Sequence, residues 1–256
     1  MNRRNIRILI AYDGTPFKGW QRQRNGLSIQ GILEEKLAII TREQIKVNGA
    51  GRTDAGVHAE GMVANFTTCA ALPAQAFFKA LNSMLPKAIR ILSTDEVAAD
   101  FHARYTAKGK SYRYDFFTGS ILHPTERLYR THFPCRSFVV ENMLPCLQEL
   151  LGRHDFQSFE AVGSRDRSKT TGRGAVRTLY RAECCQTPQQ PEHFSFYFSG
   201  DGFLRHMIRN LVGTLFLVGA HRLNPAAFTT IVAAKDRQLA GPTAPAQGLF
   251  LEQVHY

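Results

Sequence analysis

The chain has 256 residues, 44% of them apolar and 21% charged, enough to bury one large core or two small ones. That balance excludes collagen-like, mucin-like and disordered classes. Lysine and arginine number 32 against 21 acids, a formal charge of +11, which points to nucleic acid or another polyanion as partner. No apolar run reaches the roughly 18 residues of a membrane span. The segment Met1 to Ile10 holds arginines and an alternating pattern, with no apolar leader and no small-residue cleavage site. A soluble, cytoplasmic protein is expected.

Taken in chain order, Arg7 to Asp13 alternates as a strand and ends at Asp13-Gly14. Ser28 then caps a helix whose apolar face is Ile29, Ile32, Leu33, Leu37 and Ile40, with Glu34, Glu35 and Lys36 turned outward. A short strand, Ile45 to Val47, leads through a glycine-rich turn to a second, Met62 to Thr67. Pro73 opens a helix with Phe77, Leu81 and Met84 inward, and Ile89 to Val97 closes the set. The order β-α-β-β-α-β is the split βαβ, ferredoxin-like arrangement.

After His102 the chain becomes strongly basic and a new strand, Ser111 to Phe117, begins, so a domain boundary is placed near residue 105. Two domains follow, 1–105 and 106–256. In the second, Glu141 to Gly152 reads as a helix, and Phe194 to Phe198 and Gly248 to Val254 read as strands. Phe203 to Gly219 reads as the longest helix, with Arg205 and Arg209 on one polar face, and Pro225 to Lys235 as a further one. This half is also mixed α/β.

Five cysteines, Cys69, Cys135, Cys146, Cys184 and Cys185, contain no CxxC pair, and His58, His102, His123 and His132 lack ligand spacing with them. Reduced, mostly buried thiols are expected, and no metal. The densest knot of reactive residue types is Gly49 to His58, GAGRTDAGVH, a tight turn that can bring backbone close to a ligand. Gly51 and Gly56 have P-loop spacing, but Val57 and His58 stand where Lys and Ser/Thr are required. Gly109-Lys110-Ser111 has the P-loop tail but Arg104 in place of the first glycine, and no GxGxxG occurs. No nucleotide cofactor is expected. Residue chemistry leaves Asp54 open between a turn aspartate that bonds its own backbone and a carboxylate beside a sugar. The second carboxylate that glycoside hydrolysis normally needs is missing.

GAGRTDAGVHA, Gly49 to Ala59, resembles the signature of the TruA family of tRNA pseudouridine synthases. Four further stretches agree in order and spacing: YDGTPFKGWQRQ with Ser28-Ile29-Gln30-Gly31 after it, KSYRY at Lys110 to Tyr114, GDGFLRHMIRNLVGTL at Gly200 to Leu215, and AGPTAPAQGLFL at Ala240 to Leu251. The resemblance implies two ferredoxin-like, RRM-like α/β domains with antiparallel sheets packed back to back, the pseudouridine synthase fold, and a homodimer. It implies isomerisation of uridine to pseudouridine at positions 38, 39 and 40 of the tRNA anticodon arm, without metal or organic cofactor. Asp54 is then the catalytic nucleophile, Tyr112 packs against the target base, Arg205 pairs with the aspartate, and Arg52 helps to displace the base. The sequence departs from the family at Glu60-Gly61-Met62, where Met62 replaces a glutamine, and in the basic stretch Arg165 to Arg181. That stretch is expected to meet phosphates through Arg165, Arg167 and Arg173.

His58 stays open between capping backbone and contacting substrate, and Trp20 reads as packing. Two competing functions are a non-catalytic RNA-binding module with RRM-like domains and a related synthase acting on another RNA. The first lacks the aromatic-rich strand pattern that base stacking on an open sheet requires.

Overall fold

The computed structural model describes residues 3–164 and 172–256, so Arg165, Arg167 and Lys169 lie outside the described residues. The chain divides into two compact units, one of residues 1–108 with 250–256 and one of residues 109–249. The closing residues 250–256, which a boundary at residue 105 leaves with the C-terminal part, thus belong to the first unit.

The first unit runs β1 (Arg4–Tyr12), α1 (Ile29–Thr41), β2 (Asn48–Gly49), β3 (His58–Thr68), α2 (Ala74–Met84) and β4 (Ile89–Val97). This is the expected β-α-β-β-α-β order. β1 is central, antiparallel to β3 on one side and β4 on the other, so that Ile8 faces Ala64 and Thr94. Its alternation buries Ile6, Ile8, Ile10 and Tyr12 on one face. The chain's last strand adds itself parallel to β3, with Phe250 opposite His58.

Local sequence explains most boundaries. Ser28 Oγ accepts the Gly31 amide at 3.3 Å and caps α1. Two expectations change around this helix. Glu34 does not face solvent: it is 8% exposed, and its Oε1 accepts the Val47 amide and Gln30 Nε2, each at 3.1 Å. Because Val47 gives its N–H to Glu34, Ile45 to Val47 is not a strand. The ladder resumes only at Asn48–Gly49, against β3. In α2, Phe77 and Leu81 are buried as expected, while Met84 is half-buried and Leu85 takes the inner place.

The second unit runs β5 (Gly109–Phe117), β6 (Thr131–His132), α3 (Leu144–Glu149), β7 (Gly152–Asp155), β8 (Val176–Thr187), β9 (Gln190–Gly200), α4 (Met207–Gly219) and α5 (Pro225–Ala234), before the last strand, β10 (Leu249–His255). Its sheet has the order β5-β9-β8-β7 with antiparallel neighbours, and β6 lies parallel along β5. Phe116 centres the core, stacked on Phe194 and Phe196 at 5.3 and 5.1 Å and met edge-on by Phe216 of α4 at 4.8 Å.

Two readings of this half are corrected, and one strand is added. The helix expected from Phe203 begins at Met207, because His206 adopts a left-handed backbone at φ 61°. Arg205 therefore precedes the helix instead of sharing a face with Arg209. The helix expected over Glu141 to Gly152 is a 3-10 turn, Glu141–Met143, followed by the short α3, and Gly152 already opens β7. Strand β8 was not foreseen: its outer half is mostly exposed, so no alternating apolar face marks it.

Among the described residues, no helix is long and apolar enough to cross a membrane, and no group of three or more His, Cys, Asp or Glu is placed to hold a metal ion. All five cysteines are free thiols, Cys146 buried and Cys185 exposed. Burial pushes the Cys146 thiol up to about 11, leaving about one part in a thousand as thiolate at pH 8. Mass-mapped alkylation of the native protein at pH 8 should modify Cys185 first and leave Cys146 untouched until denaturant is added. Early labelling of Cys146 would contradict this core.

Candidate active site

Asp54 sits in the turn that joins β2 to β3. Its carbonyl accepts the Val57 amide at 3.2 Å, with Gly56 at φ 78° in the position where a type II turn requires a left-handed residue. Asp54 is half-buried, Arg52 is exposed, and Thr53, between them, is 7% exposed.

The stretch Tyr12 to Trp20 wraps this turn. Trp20 donates its amide to the Thr53 carbonyl at 3.1 Å, and Tyr12 Oη lies 2.8 Å from Thr53 Oγ1 in a buried hydroxyl pair. Gly19 lies so close to the Thr53 carbonyl and the Asp54 backbone that a Cβ there would sit 2.6 Å from the former. Gly14 packs in the same way on the Val57 carbonyl, and its amide donates to His58 Nδ1 at 3.1 Å. The indole of Trp20 lies over Gly49 and is 2% exposed, which is packing, as expected.

His58 is 2% exposed and starts β3, its ring stacked on Phe250 at 4.7 Å. Its Nδ1 accepts from Gly14 and lies 3.3 Å from Asp13 Oδ1, which itself accepts the Thr15 amide. Of the two readings left open for this histidine, backbone capping is the one the geometry supplies. Sequence reasoning missed Tyr12, Thr53, Gly14 and Gly19 as parts of this arrangement. The signal lies in the motif YDGTPFKGW, but a motif does not say which residue it touches.

In the second unit, the antiparallel pairing of β5 with β9 sets Tyr112 opposite Phe198 and Lys110 opposite Gly200. The motif KSYRY is thereby brought beside the segment that follows β9. Tyr112, 8% exposed, meets Phe203 edge-to-face at 5.0 Å. Two residues on, Arg205 has an exposed side chain on a fixed backbone: its carbonyl accepts the Ala161 amide at 3.0 Å, and Met207 bonds back to Leu204. His206 next to it holds a conformation uncommon for a residue with a side chain, the kind of outlier that clusters at functional sites.

The Asp201 turn before this segment is held by Arg173, whose Nη1 lies 2.8 Å from Asp201 Oδ2, and by the Thr178 amide at 3.1 Å. Arg173 therefore has a protein partner and is not simply waiting for phosphate, as the basic stretch alone suggested. Asp54 and Arg52 thus belong to the first unit, and Tyr112 and Arg205 to the second.

Comparison with known proteins bears on this arrangement. The sequence profile described as tRNA pseudouridine synthase matches residues 8–106 and 146–256. A tRNA pseudouridine synthase A 1 of Desulfotalea psychrophila is 50% identical over 253 residues, covering 99% of this chain and all of that protein. The tRNA pseudouridine synthase A of Lacticaseibacillus casei is 43% identical, covering 98% of this chain and 99% of the relative, and that of Geobacillus kaustophilus is also 43% identical, covering 98% and 94%. With its own mixed α/β, mainly antiparallel architecture and a match along nearly its whole length, the chain belongs to the tRNA pseudouridine synthase family.

Proposed function

We propose that this protein isomerises uridine to pseudouridine at positions 38, 39 and 40 in the anticodon arm of tRNA, as a cytoplasmic homodimer that needs no cofactor. The family match along nearly the whole chain supports the coarser statement, an isomerase of tRNA uridines. The single observation that carries the chemistry is Asp54 at the head of a tightly held turn, half-buried and two residues after the exposed Arg52.

The reaction exchanges one bond for another in the same nucleoside. The C1′–N1 bond breaks, the uracil turns, and a C1′–C5 bond forms, while the hydrogen on C5 leaves and N1 gains one. A single carboxylate beside the sugar can either add to C1′ or balance the positive charge that develops there. No redox step or hydrolysis is involved, so a second carboxylate is not required. A uridine in a paired stem must first be extruded, for which an aromatic wall and cations are suited. We assign the catalytic role to Asp54 and substrate binding to Tyr112, Arg205 and Arg52. Tyr112 is packed against Phe203, so it serves as a wall with a fixed orientation instead of a mobile lid. Arg205 offers a planar donor fork that stays charged at any working pH.

The test is tritium release from uracil C5 in a labelled tRNA transcript, with the modified positions mapped by carbodiimide treatment and primer extension. Release confined to positions 38 to 40 supports the proposal, and modification elsewhere in the tRNA, or only in another RNA, contradicts it. Asp54→Asn should fold and bind tRNA as the wild type does and make no pseudouridine; turnover near wild type would sink the assignment. Arg205→Met should slow single turnover by at least about a hundredfold, about 2.7 kcal/mol of barrier. Its tRNA affinity should fall less than about tenfold. A weaker Kd and a salt slope reduced by about one, with the rate intact, would make Arg205 a phosphate contact instead.

A further inference from the structure

We propose that the buried Tyr12–Thr53 hydroxyl pair is a positioning link for the reaction, setting the direction in which Asp54 leaves its turn. The inference rests on the assignment of Asp54 as the catalytic carboxylate. Thr53 immediately precedes Asp54 and is held at two points by one stretch of chain, its carbonyl by the Trp20 amide at 3.1 Å and its hydroxyl by Tyr12 at 2.8 Å. On the other side of Asp54, the Val57 amide closes the turn and Gly14 packs on the Val57 carbonyl. Most of this grip is backbone and glycine contact, which any folded version of the chain keeps. The hydroxyl pair is different, because both partners are side chains and both are almost fully buried, at 4% and 7% exposure.

Stability does not require such a pair. Two hydroxyls taken out of water recover little net energy from one mutual bond, and an apolar pair of the same shape is often equally stable. What the bond adds is direction. Threonine is branched at Cβ and has few χ1 options; a bond from its hydroxyl to Tyr12, at the end of β1, selects one of them and fixes Thr53 on its side-chain side, while the Trp20 amide holds the carbonyl of the peptide shared with Asp54. A reacting carboxylate is sensitive to this, since a displacement of about 1 Å can cost a hundredfold in rate.

The experiment compares Tyr12→Phe, Thr53→Val, the double variant and Thr53→Ser with the wild type. The readouts are single-turnover C5 tritium release at saturating tRNA, tRNA Kd and Tm. Each single variant should lose about ten- to a hundredfold in rate, with Kd within about twofold. The double variant, which leaves no orphaned hydroxyl, should recover the wild-type Tm yet remain as slow as the singles, because the link is still absent. Thr53→Ser, which restores the hydroxyl, should return to within about threefold of the wild-type rate. Recovery of rate together with Tm in the double variant would make the pair merely structural and overturn the proposal, as would wild-type rates in the singles or a loss confined to Kd. Asp54→Asn measured alongside separates the two levels. If it stays active, the Asp54 assignment itself has failed; if it is inactive while Tyr12→Phe and Thr53→Val are at full rate, only the positioning link has.

Discussion

The bond from the Trp20 amide to the Thr53 carbonyl joins the two most informative motifs of the first unit, and the candidate site depends on it. A surface turn with three glycines is by itself a mobile object. Here the turn is shaped from outside, by a stretch of chain whose own glycines, Gly14 and Gly19, are bare where they press on it. Gly19 and Gly14 grip the turn on opposite sides of Asp54, the first on the Thr53 side and the second on the Val57 side. The strands β1 and β3 are paired in continuous register from Arg4 to Ile10, with one irregularity before Tyr12, and give the wrap a firm base.

The second unit meets the same problem differently. Arg205 has an exposed head on a tied backbone, an arrangement that a helix would also have provided. Instead the segment from Asp201 to His206 is irregular, tied by Ala161, by the Leu204 to Met207 turn and by the Arg173–Asp201 ion pair, and only then does α4 begin. Half-exposed, that ion pair adds little to global stability. Its effect is local, on the loop that leads to Arg205. The last motif stretch is fastened to the same helix: Ala244 donates its amide to the Arg209 carbonyl, and Arg209 Nε returns a bond to the Ala244 carbonyl.

Much of this was legible in the amino-acid order, for reasons that can be named. Ile8, Ile10 and Tyr12 announce a half-buried strand by period, and Ser28 announces a helix start by its hydroxyl, because both signals are local. Glu34 and Val47 were misread because a buried carboxylate took an amide thirteen residues away, a trade no window-based pattern can contain. The start of α4 was misread for a similar reason. The apolar stripe continues upstream through Leu204, and only the left-handed His206 shows that the helix does not. Asp54, Tyr112 and Arg205 were singled out by resemblance, whereas Thr53, Tyr12 and His58 acquire their roles only once the wrap is seen.

If the turn carrying Asp54 is a fixed object, its amides must be slow to exchange. Amide hydrogen exchange of the free protein, resolved residue by residue, is therefore the most direct measurement. Trp20, Gly14 and Val57, whose amides hold the turn, should be protected to the same degree as the paired amides of β1 and β3, far beyond the exposed Arg22 to Gly26 loop. Exchange of Trp20 and Val57 at the rate of that loop would mean that the turn opens freely, and the claim that Asp54 is held in place before tRNA arrives would be wrong.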